Sequence, residues 1–127
     1  MKDTVIGEYT KIDNLVLISH GVHIGAFCRI AGHAIIASET NVGDHVSIGG
    51  DSSIANNLSI GDEVFIVGKS AVADDIPKGE KVMGVPAISK AKRLKIIAIE
   101  KRLPEMWNTI KNLDKIVRGM ARKRSNP

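Results

Sequence analysis

The sequence predicts an all-β left-handed parallel β-helix built from hexapeptide repeats, about four coils high, followed by a C-terminal α-helical extension. Three observations carry that expectation. Ile6, Ile12, Ile18, Ile24, Ile30, Ile36, Val42, Ile48, Ile54, Ile60, Ile66 and Val72 recur at every sixth residue without a slip. Mostly small side chains stand two residues before the next aliphatic: Val16, Val22, Cys28, Ala34, Thr40, Val46, Ser52, Leu58, Val64 and Ser70. Beyond residue 77 the pattern ends, and the chain turns to Lys, Leu, Ile, Ala and Glu.

A period of six suits neither a straight strand nor an α-helix, but it suits a chain that turns a corner every sixth residue and stacks on itself. Three hexads, about 18 residues, then make one triangular coil. Positions two apart on a strand face the same way, so both members of each hexad's apolar pair point into the prism over residues 1–76. Gly7, Gly25, Gly43, Gly49 and Gly61 follow the aliphatics, where tight backbone bends are expected. Leu15, Leu17, Phe27, Ile35 and Phe65 lie outside the repeat positions and are assigned to the prism's flat faces. Apolar faces of this kind call for a covering surface, most simply in a cyclic homo-oligomer, and a homotrimer is expected.

Residues 77–87 carry Pro77, Gly79, Gly84 and Pro86 and read as an exit loop. Helices are expected over 88–120, the second opening near Pro104 with Glu105 in its first turn. In that second segment Leu103, Met106, Ile110, Leu113, Val117 and Met120 alternate by three and four, a short seam along which copies would pack. Residues 121–127 read as a frayed basic tail.

Charge divides sharply along the chain. Residues 1–77 hold four Lys/Arg against ten Asp/Glu, whereas residues 78–127 hold fourteen against four. The basic half suits an acidic protein, a nucleic acid, a membrane surface or simply solvent. Nucleic acid is the weakest of these, because one Trp in the tail makes no stacking platform. A single cysteine, Cys28, at an inward small position excludes a disulfide framework and fits a reducing compartment. With neither a leader pattern nor an apolar run long enough to span a bilayer, the chain is expected to be cytoplasmic.

The run Ile12-Asp13-Asn14-Leu15-Val16-Leu17-Ile18-Ser19-His20-Gly21-Val22-His23-Ile24-Gly25 resembles the pattern IDNxxxIAHNVxIG of UDP-3-O-acylglucosamine N-acyltransferase of lipid A biosynthesis. The likeness continues through Ile48-Gly49-Gly50, through Ile54 to Asp62, and into Arg102-Leu103-Pro104-Glu105. The resemblance is to that family's C-terminal portion, without its uridine-binding domain. It implies a trimer that moves a 3-hydroxyacyl chain from the phosphopantetheine of acyl carrier protein to the 2-amine of a nucleotide sugar, with no metal and no other cofactor. His20 matches the family's catalytic histidine, and amide formation from a thioester needs a base of this kind. The family's oxyanion position falls at Ser38, eighteen residues on and one coil above, where the donor is the backbone N–H.

The same match raises Asp13, as orienter of His20, and Asn14, as a substrate contact, above the ordinary reading of such residues as corners bonding their own backbone. Asn56-Asn57 stands where the family has Gly-His, and both residues are assigned to substrate. Lys90, Lys92, Arg93 and Lys95 are assigned to steering the acidic carrier protein. His20, His23, His33 and His45 fall in four different columns of an eighteen-residue coil, which excludes a stacked histidine metal site. Two rivals share the prism: a small acetyl-CoA-dependent sugar or amino-acid acetyltransferase, and a non-catalytic trimeric structural module.

Overall fold

The computed structural model describes residues 2–125. The chain divides into two compact units, Met1–Arg93 and Leu94–Pro127. The first unit is a three-sided parallel β-helix of two-residue strands: β1 (Val5–Ile6), β2 (Lys11–Ile12), β3 (Leu17–Ile18), β4 (His23–Ile24), β5 (Arg29–Ile30), β6 (Ile35–Ile36), β7 (Asn41–Val42), β8 (Ser47–Ile48), β9 (Ser53–Ile54), β10 (Ser59–Ile60), β11 (Phe65–Ile66) and β12 (Ala71–Val72). Each strand ends on the aliphatic of its hexad. One wall stacks β1-β4-β7-β10 and another β3-β6-β9-β12. The remaining wall runs β2-β5-β8-β11 and continues through β13 (Lys81–Met83) to β14 (Ile88–Ser89). Register follows the eighteen-residue coil, as in Ile18↔Ile36 and Ile36↔Ile54.

The final coil is shortened. Phe65 pairs with Lys81 and Ile60 bridges Ile76, so the repeat ends by dropping residues between Val72 and Ile76. Asp75 seals that cut by accepting the Ser59 N–H at 2.7 Å. One strand, β13, therefore lies in the stretch expected as an exit loop, and Ile88 and Ser89, expected as helix, form a strand antiparallel to it.

The prism interior is filled by the repeat aliphatics from Ile24 to Val72, with Ile76 and Val82 closing its far end. Burying an isoleucine side chain is worth about 1.5–3 kcal/mol, so this column is the dominant stabilising term. Ile6 and Ile12 keep the same inward positions but are 46% and 39% exposed, since among the described residues no coil lies beneath them. The buried hydroxyls are paired: Thr40 Oγ1 donates to Ala55 O at 2.7 Å, and Ser52 Oγ to Val67 O at 3.1 Å.

The corners differ from the sequence-based expectation. The bend residue is three after each aliphatic, and ten non-glycine residues hold it at positive φ: Tyr9, Leu15, Phe27, His33, Glu39, His45, Asp51, Asn57, Glu63 and Lys69. Gly7, Gly25, Gly43, Gly49 and Gly61 are not at positive φ. What they provide is close approach, since a Cβ at each would strike the next coil; at Gly7 it would lie 2.5 Å from Gly25 C. Leu15 and Phe27 accordingly sit on corners, while Leu17, Ile35 and Phe65 lie on faces and are exposed.

A helix, α1 (Lys90–Glu100), leaves β14, and Ser89 Oγ accepts the Lys92 N–H at 3.3 Å as its cap. A turn at residues 101–102 precedes α2 (Leu103–Ser125), whose first turn holds Pro104, where the missing N–H leaves no helical bond unmade. Helix α2 continues through the stretch expected to fray, and residues 126–127 lie outside the described ones. Every side chain of α2 is exposed, including the stripe Leu103, Met106, Ile110, Leu113, Val117 and Met120.

Candidate active site

The eighteen-residue register stacks the residues two past each aliphatic of β3, β6, β9 and β12, so His20, Ser38, Asn56 and Asp74 form one column along a single corner. His20 Nδ1 and Ser38 Oγ approach to 3.4 Å. At that length the contact is a loose hydrogen bond that orients the ring more than it stabilises it. When Nδ1–H donates to Ser38 Oγ, Nε2 carries the free lone pair, which is the tautomer a general base requires.

The corners share one backbone pattern and differ in whether an aspartate meets the N–H two residues past the aliphatic. At the corner between β4 and β5 the Ala26 N–H is taken by Asp44 Oδ1 at 2.9 Å. One coil higher on that corner, the Asp44 N–H is taken by Asp62 Oδ1 at 2.8 Å. At the His20 corner, as at the corner of Phe27 and His45, the carbonyls accept from the bend residues one coil up, Glu39 N–H donating to His20 O and Asn57 N–H to Ser38 O, both at 3.0 Å. Among the described residues the Ser38 N–H, like those of His20, Gly32, Gly50 and Asn56, donates to no acceptor. A half-buried, unfilled main-chain donor thus lies one coil above an imidazole.

The other assigned residues distribute as follows. Asn56 is in the His20 column, two coils up, and Asn57 is the adjacent bend residue. Asp13 and Asn14 are at the preceding corner, where Asp13 Oδ1 accepts the Asn14 N–H at 2.7 Å and Asn14 O accepts the His33 N–H at 3.1 Å. Asp13 therefore does not orient His20 within the chain. Lys92 and Lys95 are exposed and Lys90 half-buried. Arg93 is withdrawn from a steering role: its Nε donates to Met83 O at 3.2 Å and its Nη2 to Pro86 O, which closes the 83–86 turn against Gly84.

Among the described residues no group of three His, Cys, Asp or Glu could hold a metal ion. No described helix is long and apolar enough to cross a membrane. Cys28, buried with Sγ 3.1 Å from Gly43 O, has its pKa raised by burial, with Asp44 and Asp62 adding to the effect. His20 is exposed in the single chain. An enclosed reaction centre at this corner needs a second surface.

Residues 3–38 match the family described as bacterial transferase hexapeptide (six repeats). Among solved structures the chain is similar to a soybean serine acetyltransferase apoenzyme at 24% identity and a TM-score of 0.62, over 68% of this chain and 40% of that one. A hexapeptide-repeat-containing acetyltransferase from Vibrio cholerae is 24% identical at a TM-score of 0.65, over 68% and 60%. A serine acetyltransferase in complex with CoA is 22% identical at 0.65, over 68% and 39%. The chain thus spans between 39% and 60% of the length of these structures. What it has in common with them is the fold, a left-handed parallel β-helix of hexapeptide repeats, about four turns long.

Proposed function

We propose that the chain is an acyltransferase module in which the corner holding His20 and Ser38 performs transfer from a thioester. The acceptor amine or hydroxyl attacks the thioester carbonyl while its proton passes to His20 Nε2. A carbon–nitrogen or carbon–oxygen bond forms, and the carbonyl oxygen gathers charge opposite the Ser38 N–H. Collapse breaks the carbon–sulfur bond, and the leaving thiolate takes the proton from the imidazolium. General base catalysis of this kind contributes about 10²–10⁴-fold, and an oxyanion donor about 10²–10³-fold.

The observation that carries this reading is the placement of Ser38, with its hydroxyl and its N–H, one coil above an imidazole whose Nδ1 is 3.4 Å from Ser38 Oγ. The similarity to acetyltransferases, one of them in complex with CoA, supports acetyl-CoA or a related CoA thioester as donor. The acceptor is a small sugar or amino acid. A second reading, transfer of a 3-hydroxyacyl chain from acyl carrier protein to the 2-amine of UDP-3-O-acylglucosamine, is favoured by the run from Ile12 to Gly25 and by the Arg102-Leu103-Pro104-Glu105 segment. In that reading the exposed Lys92 and Lys95, with Lys90, steer the acidic carrier protein, and Asn56 and Asn57 meet the acceptor.

Assembly as a homotrimer is part of the proposal. Leu17 and Ile35 expose an apolar wall, and the stripe of α2 exposes another, so a neighbouring copy supplies the surface that encloses His20. The test is thiol release from acetyl-CoA and, separately, from acyl carrier protein thioester, against sugar and amino-acid acceptors. Acceptor-dependent release from acetyl-CoA supports the first reading, and release from the carrier thioester alone supports the second. Release from neither, with the assembly intact, leaves the structural-module reading.

A further inference from the structure

The corner between the β1 wall and the β2 wall carries an aromatic ladder that the transfer chemistry does not use. Tyr9 and Phe27 stack with ring centroids 5.2 Å apart and planes 15° apart. Phe27 and His45 follow at 5.1 Å and 5°. All three are held at positive φ, a region in which glycine and asparagine are favoured and large rings are not. Phe27 is covered on both sides, so the ring with a face to offer is Tyr9, which is 73% exposed.

Beside the ladder, the outward side chains of β2, β5 and β8 are Lys11, Arg29 and Ser47, stacked in register. Two cations on adjacent rungs, about 5 Å apart, repel one another. Among the described residues neither lies within ion-pair distance of a carboxylate. Rings and cations line one open concavity of about 490 Å³, within the range of small-molecule sites. Glu63 continues the ladder's column beyond His45, so negative charge is disfavoured at that end and favoured at the Lys11 and Arg29 end.

We infer that this ledge binds a nucleoside diphosphate, its base stacked on Tyr9 and its phosphates bridging Lys11 and Arg29. Stacking on a tyrosine face accepts any base, and a guanidinium beside an ammonium suits two adjacent phosphates. Both a CoA donor and a UDP-sugar acceptor contain this group, so the inference deepens the acyl-transfer reading by assigning the nucleotide end of one of its two substrates. Binding itself does not depend on turnover.

The test is calorimetric titration of the full chain with ADP, CoA, UDP and UDP-N-acetylglucosamine, with adenosine and uridine as uncharged controls. At least one nucleoside diphosphate is expected to bind, more tightly than its nucleoside, and the preferred base tells donor from acceptor. Tyr9→Ala should weaken that binding roughly tenfold, and Tyr9→Phe should retain it. Lys11→Ala combined with Arg29→Ala should remove the preference for the diphosphate over the nucleoside. Thermal melting of each variant identifies any that fail to fold, and Tyr9→Phe against Tyr9→Ala keeps the comparison within a folded pair. Absence of binding to all four at millimolar concentration, or affinity unmoved by these variants, overturns the ledge. Binding that survives in His20→Ala while turnover is absent from the parent protein would remove the transfer reading and leave the ledge standing.

Discussion

Replacing Gly49 by alanine tests whether the glycines that follow the aliphatics are required by contact between coils. An added Cβ would lie 2.6 Å from Gly68 Cα and 2.9 Å from Ile66 O, and it would also strike Gly68 N. Ordinary contact begins near 3.4 Å, so the two coils would have to separate by at least about 0.8 Å at this rung. That displacement stretches Gly49 N–H to Ile66 O and Lys69 N–H to Gly50 O, each now 2.8 Å, beyond hydrogen-bonding length. Two bonds at about 1 kcal/mol each, with overpacking of about 1–3 kcal/mol, give an expected loss of about 3–5 kcal/mol. Gly79→Ala is the control, because Gly79 has φ +77° and nothing within 4 Å of its Cβ site. It should cost only the backbone strain of about 1–2 kcal/mol. Urea unfolding followed by far-ultraviolet circular dichroism reads both variants. If Gly49→Ala costs no more than Gly79→Ala, the close-approach argument is wrong.

Other expected outcomes follow from packing and proton linkage. Ile54→Ala, at 1% exposure in mid-prism, should cost about 2–5 kcal/mol by the same denaturation assay. Because burial raises the Cys28 pKa, the folded state holds the thiol proton more tightly than the unfolded chain does. The associated stability is complete below the thiol's ordinary pKa and is lost as pH rises past it toward the folded value. Cys28→Ala should flatten that alkaline loss in pH-dependent melts, and the native thiol should resist alkylation until urea is added. Ser38→Ala removes the 3.4 Å contact with His20 Nδ1 but keeps the main-chain donor, so kcat should fall by less than about tenfold. A loss equal to that of His20→Ala would show that the hydroxyl, not the N–H, does the chemistry.

The prism was legible because its information is periodic. One aliphatic every six residues specifies the walls, and counting eighteen brings His20 beneath Ser38 before any coordinates are known. The same count would have found Tyr9, Phe27 and His45 in one column, but stacking of exposed rings is a side-chain outcome that composition alone does not announce. The bends were misplaced because glycine marked the wrong position: here it relieves crowding, while Leu15, Glu39 and Lys69 tolerate positive φ under constraint from the stacked coils. Arg93 was read as a surface charge, yet its bonds to Met83 O and Pro86 O depend on a turn geometry that exists only after folding. The resemblance assigns Asp13 to His20, but the two stand at successive corners with the face of β3 between them.

The most direct measurement is the rate of acceptor-dependent thiol release from the preferred thioester by the assembled His20→Ala protein, beside the parent and at matched folding. The account predicts kcat lower by about 10²–10⁴-fold with the melting temperature unchanged. An unchanged rate would contradict the assignment of the imidazole at this corner as the proton acceptor.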